Sequence, residues 1–174
     1  ADFNNDNWLD IFVANDGTPN HMWMNLGDGT FRESAAALGC AVDQDGIAKA
    51  GMGIAATDID DDGDIDLLVG NLNRESDSLF RNDGGQFQDA SLRHGIGAAT
   101  SAATGFGAGW LDYDNDGRQD LYVTALEGDR LFHNEGAGKF RDVTASSGIR
   151  NASFGTSAAT ESITMMSTPP ERTS

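Results

Sequence analysis

The chain has 174 residues, 22 of them glycine and only 3 proline, and a formal net charge of -17. That charge excludes nucleic acid and anionic membrane surfaces as partners, because both demand clustered Lys and Arg. No apolar run is long enough to span a bilayer as a helix, and short apolar segments parted by Gly, Asn and Asp clusters predict an all-β fold.

In chain order, the first element is the loop Asp2-Phe3-Asn4-Asn5-Asp6-Asn7-Trp8-Leu9-Asp10. Its pattern returns at Asp58 and Asp112, with starts 56 and 54 residues apart. Acidic or amide side chains at the first, third, fifth and ninth positions converge on one point only if the backbone coils tightly. Gly63 and Gly117 at the sixth position permit that left-handed coil, and Asn7 tolerates it in the first loop. Carboxylates held this close repel one another and call for a hard, oxygen-seeking cation.

Ca²⁺ is the predicted ion, at about three sites. The expected ligands are Asp58, Asp60, Asp62 and Asp66; then Asp112, Asp114, Asp116 and Asp120; then Asp2, Asn4, Asp6 and Asp10. Asp64, Arg118 and Trp8, at the seventh position, are expected to offer a backbone carbonyl. The first loop, with its two Asn substitutions, is expected to bind most weakly. An EF-hand is excluded, since that motif needs a bidentate Glu at position twelve, where these loops carry Val13, Val69 and Val123. Eleven carboxylates occupy ligand positions, so three divalent ions would bring the formal charge from -17 to -11.

Each loop runs into an aliphatic strand, Ile11-Phe12-Val13, Leu67-Leu68-Val69 or Leu121-Tyr122-Val123. A hairpin follows each: Met22–Asn25 then Phe31, Leu79–Asn82 then Phe87, and Leu131–Asn134 then Phe140. The Phe after each turn is expected in the core, and Trp23, which matches Phe80 and Phe132, is expected there too. His133 shares its repeat slot with Met24 and Arg81 and is expected to face solvent. Cys40 falls where later units carry Ile96 and Ile149, the place of a small buried hydrophobe.

Glycine-rich stretches, residues 51–56 and 105–111, precede the second and third loops and suit strands packed close to their neighbours. One unit is therefore an inner strand, an acidic loop, a second strand and an outer hairpin. Four-stranded units repeated at this length predict a β-propeller fragment with calcium loops between the first and second strands. Its expected divisions are a partial blade over 1–41, complete blades over 42–98 and 99–150, and the start of another in 151–174. Residues 160–174 lack an acidic loop and are expected to be a non-native or disordered tail, as a reading-frame shift near residue 160 would produce.

The run Gly105-Phe106-Gly107-Ala108-Gly109 followed by Asp112-Tyr113-Asp114-Asn115-Asp116-Gly117-Arg118-Gln119-Asp120-Leu121 resembles FG-GAP and VCBS repeats, known from integrin alpha-chain propellers and bacterial secreted proteins. The L-F-x-N and G-x-F-x-D blocks, with the Gly-Ile that closes the second and third units, most resemble the ASPIC/UnbV and cartilage acidic protein group. The resemblance implies an extracytoplasmic module for adhesion, meeting a protein or carbohydrate ligand. Two alternatives stand beside it: part of a secreted enzyme such as a polysaccharide lyase, or a purely structural scaffold. No nucleophile elbow, zinc-binding His pair or phosphate loop occurs, which favours a non-catalytic module.

Overall fold

The computed structural model describes residues 1–149. Three antiparallel sheets follow one another along the chain. The first has three strands, β1 (Ile11–Val13), β2 (His21–Asn25) and β3 (Phe31–Glu33), closed by the one-turn helix α1 (Ala35–Leu38). The second has four, β4 (Ile54–Thr57), β5 (Asp66–Val69), β6 (Ser78–Asp83) and β7 (Gln86–Asp89), then α2 (Ile96–Thr100). The third has β8 (Gly105–Leu111), β9 (Asp120–Ala125), β10 (Arg130–Asn134) and β11 (Phe140–Asp142), then α3 (Thr144–Ser147).

Each sheet is a meander in which every strand pairs with the next in sequence. The register repeats: Leu67 lies opposite Phe80, as Leu121 lies opposite Phe132 and Ile11 opposite Trp23. The architecture is thus all-β, a propeller fragment of successive blades. The expected features of residues 150–174 lie outside the described residues.

The core is built between blades. One cluster joins Phe3, Met22, Met24 and Cys40 of the first blade to Leu67, Val69, Phe80 and Phe87 of the second. The other joins Ala55, Ile59, Leu68, Leu79 and Ile96 of the second to Leu121, Val123, Phe132 and Phe140 of the third. Cys40 and Ile96 occupy matching places in the two clusters, and burial pushes the Cys40 thiol up to about 12. Just before β4 the chain meets β8 so closely that a Cβ on Gly53 would lie 2.4 Å from the Phe106 carbonyl oxygen.

Two expectations about the core fail in the first blade. Phe87 and Phe140 are buried, but Phe31 is 42% exposed; Phe80 and Phe132 are buried, but Trp23 is 37% exposed. The reason is the alternation of side chains along a strand. Trp23, Ile11 and Phe31 point away from the second blade, toward a side that no described sheet covers, and all three are exposed. Trp23 stacks instead on the ring of His21, with centroids 5.8 Å apart.

Candidate metal centre

The acidic loops connect each blade's inner and second strands, with the first loop leading into β1. All three coil in the same way. The first Asp accepts the backbone N–H of the sixth residue: Asn7 to Asp2 at 2.8 Å, Gly63 to Asp58 at 2.8 Å and Gly117 to Asp112 at 2.9 Å. The fifth Asp accepts the N–H of the seventh residue, from Trp8, Asp64 and Arg118 at 2.8, 3.0 and 2.9 Å. The sixth residue is left-handed in each loop, as expected, and so is the fourth: Asn5, Asp61 and Asn115 have φ of 58°, 61° and 62°. Asn or Asp at position four, the residues most tolerant of that region, was the readable signal.

These turns bring ligand-competent oxygens of Asp58, Asp60 and Asp62 within 4.8 Å of one another, and likewise those of Asp112, Asp114 and Asp116. In the first loop Asn4 takes the place of the third carboxylate and donates its amide to Asp6 Oδ2 at 2.9 Å. The fit to a cation rests on Asp60: its Oδ1 is buried and accepts no hydrogen bond. A carboxylate oxygen stripped of both water and donors is costly unless a positive charge meets it. Burial also raises the Asp62 carboxyl above its usual range, with the Asp60 charge adding to the effect and the Asp64 N–H and Arg81 opposing it.

The ninth-position residues have a different setting. Asp10, Asp66 and Asp120 are buried, and each binds two backbone N–H groups, one from the second loop residue and one from the third strand. Asp66 accepts from Ile59 at 2.9 Å and from Asn82 at 2.7 Å; Asp120 accepts from Tyr113 at 3.1 Å and Asn134 at 2.7 Å; Asp10 accepts from Phe3 at 2.9 Å and Asn25 at 2.8 Å. They are clips that tie each loop to its hairpin, and Asp120 alone also enters a compact cluster of metal-competent side chains.

Among the seventh-position residues, the Asp64 side chain is held by Asn5 of the preceding loop at 2.7 Å and by the Gly84 N–H at 2.6 Å. Arg118 folds back to pair with Asp116 and donates Nε to the Asn134 carbonyl at 2.7 Å. Trp8 lies 51% exposed beside a groove of about 480 Å³, also lined by Asn4, Asp6, Asn25, Arg32 and Gln86.

Two residues at the loops escaped the sequence reading. Arg81 donates Nε to Asp60 Oδ2 at 2.6 Å and Nη2 to Asp62 Oδ2 at 2.8 Å, neutralising part of the second loop from β6. His133, from the same slot on β10, does not face solvent: its side chain is 13% exposed, with Nδ1 3.1 Å from Asp120 Oδ1 and 3.4 Å from Asp114 Oδ2. Alternation along the strand aims this slot at the loop, so its occupants, Met24, Arg81 and His133, give each loop a different neighbour. The signal was their chemical diversity at one repeated position.

The family model of the FG-GAP-like repeat matches residues 2–69, 58–123 and 112–165, each match beginning at an acidic loop. Cartilage acidic protein 1 of Homo sapiens is 41% identical over 64 residues, and that of Xenopus tropicalis 39% identical over 64 residues. Each alignment covers 37% of this chain and 9% of the relative, so the chain spans only a small part of the relatives' length. With three matches that together cover most of its length, the chain belongs to the FG-GAP-like repeat family.

Proposed function

We propose that the chain is a calcium-stapled, non-catalytic propeller module of an extracytoplasmic protein, presenting its surface to an extracellular protein or carbohydrate ligand. The observation that carries the metal reading is the buried, donorless Asp60 Oδ1 inside a loop whose coil is repeated three times. Asp58, Asp60 and Asp62 would hold one ion and Asp112, Asp114 and Asp116 a second, with Asp2, Asn4 and Asp6 forming the third and weakest site. The ninth-position carboxylates and the seventh-position carbonyls of Asp64, Arg118 and Trp8 would complete these shells. A bound ion supplies the positive charge that lets each loop keep its carboxylates together, and so stiffens the connection between strands.

Extracellular calcium at millimolar levels suits such sites, whose affinities run to about 0.1 to 1 mM. The groove beside Trp8 supports a carbohydrate or peptide ligand, since it sets an exposed indole among amide, carboxylate and guanidinium groups. Among the described residues no helix is long and apolar enough to cross a membrane.

The test is calcium titration by calorimetry together with thermal unfolding in calcium and in chelator. Saturable binding near three ions, with a fall in Tm in chelator, is the expected result. Heat-free titrations and an unchanged Tm would end the metal reading.

A further inference from the structure

We infer that the uncovered face of the first blade and the outer face of the third are two halves of one joint, through which a second copy of the chain packs head to tail. Ile11, Val13, Trp23 and Phe31 are exposed on the first of these faces, with Ile11 opposite Trp23 on adjacent strands. Their counterparts in the second blade, Leu67, Val69, Phe80 and Phe87, are buried against the first blade. Those in the third, Leu121, Val123, Phe132 and Phe140, are buried against the second. The first face is therefore apolar for the same reason, and the surface that fits it is the one a blade of this chain turns toward its successor. Of the three described sheets, only the third has no described sheet after it.

The polar parts of the joint are also left over in matching halves. At the two joints within the chain, an Asn amide donates to the carbonyl of the second loop residue in the preceding blade: Asn82 to Phe3 at 2.8 Å and Asn134 to Ile59 at 3.0 Å. Asn25, their counterpart, donates only to Leu9 of its own blade, so one amide hydrogen has no partner among the described residues. Tyr113 is the second residue of the third loop, and among the described residues nothing donates to its carbonyl. Gly39 and Gly95 leave no room for a Cβ beneath the Phe87 and Phe140 carbonyls of the following blade, whereas a Cβ on Gly148 meets nothing within 4 Å among the described residues. The first blade thus offers the spare amide of Asn25 and the third the spare carbonyl of Tyr113. Such an interface is heterologous, so it closes a ring or runs on as a filament. Two copies supply six sheets, three from each, and propellers close at about four to eight blades, so the pair closes on itself. Two chains of net charge -17 repel, but physiological salt screens that repulsion beyond about 8 Å.

The experiment is analytical ultracentrifugation of the whole chain over a concentration series in physiological salt, on the native protein, on Trp23→Lys and on Leu92→Lys. The native chain should pass from monomer to dimer as concentration rises. Trp23→Lys should weaken the dimer about tenfold or more, since an interfacial Trp is a frequent energetic anchor and an ammonium cannot replace it there. Leu92→Lys adds the same charge at an exposed leucine outside the joint and should dimerise as the native chain does. A native chain still monomeric at about 0.1 mM overturns the inference and leaves the first face to a different blade or protein. Dimers that Trp23→Lys forms equally well, or assemblies that keep growing beyond the pair, overturn it too. Should Trp23→Lys fail to fold, as judged by its thermal unfolding transition, Ile11→Gln takes its place on the same face.

Discussion

Asn82 donates its side-chain amide to the backbone carbonyl of Phe3 at 2.8 Å, reaching across 79 residues from the hairpin of one blade to the acidic loop of the one before. Asn134 makes the same bond to Ile59 at 3.0 Å, from the third blade to the second. Each Asn also donates within its own blade, to Ile65 or Gln119, and accepts the N–H of a turn glycine, Gly85 or Gly136. The repeated Asn is therefore a joint between blades as well as a support for the turn.

Replacing Asn82 by Ala leaves the Phe3 and Ile65 carbonyls and the Gly85 N–H without this partner in a buried setting, and unsatisfied buried groups cost about 1 to 3 kcal/mol each. Asn82→Ala should lose about 3 kcal/mol by denaturant unfolding. Asn25→Ala should lose about 1 kcal/mol, because Asn25 is only half-buried and its amide donates within its own blade, to Leu9. Equal losses at both sites would contradict the joint.

Three glycines at matching repeat positions give a second comparison. Gly39, Gly95 and Gly148 are all left-handed, with φ of 86°, 88° and 80°. A Cβ on Gly39 would stand 2.3 Å from the Phe87 carbonyl oxygen and one on Gly95 2.4 Å from that of Phe140, while one on Gly148 meets nothing within 4 Å among the described residues. Gly148→Ala should cost about 1 kcal/mol for conformation alone. Gly39→Ala and Gly95→Ala should cost at least twice as much, since backbone of the adjoining blade must shift. Thermal unfolding of the three variants checks the order.

Arg81 partly neutralises the second loop by pairing with Asp60 and Asp62, the carboxylates that would hold the proposed ion. Arg81→Met, which installs the residue of the first blade, should lower Tm in chelator and raise the gain in Tm on adding Ca²⁺. Its calorimetric affinity for Ca²⁺ at this loop should rise several-fold, whereas Asp60→Ala should abolish binding there. An unchanged calcium response in Arg81→Met would show that the guanidinium and the ion act independently.

Asp77, immediately before β6, accepts the Asn71 N–H at 2.9 Å and is 1% exposed. Burial pushes its carboxyl up to about 6 from 3.8, against the Asn71 N–H and the nearby charges of Lys49 and Arg130. The folded chain thus holds this proton more tightly than the unfolded chain, so the protonated group's contribution is complete below about pH 4 and is lost as pH rises through about 6. The first blade carries Asn20 in the corresponding role, accepting the Asn15 N–H at 3.2 Å. Asp77→Asn should therefore be more stable than the native chain above pH 6, by on the order of 1 kcal/mol or more, with the difference shrinking toward pH 4. Urea unfolding of both proteins across that range measures it, and a pH-independent difference would refute the assignment.

Much of the architecture was written locally. A nine-residue acidic loop, an aliphatic strand and a Gly-turned hairpin each follow from short-range rules of coiling, alternation and turn chemistry, so their repetition announced a propeller from the order of residues alone. Those rules also placed Asp58, Asp60 and Asp62 in one cluster, because neighbours within a coil converge whatever surrounds them. What lay beyond them was every relationship between strands or blades. The burial of Phe87 but not Phe31 depends on whether a sheet stands opposite; the approach of Arg81 and His133 to loops 13 to 23 residues earlier depends on which way β6 and β10 turn their faces. The clip formed by Asp66 depends on a backbone N–H of Asn82 that a linear pattern does not display. Local conformation is decided by adjacent residues, but desolvation and charge pairing are decided by what the fold brings near, and so it was the tertiary structure that set Arg81 against the second loop and His133 against the third.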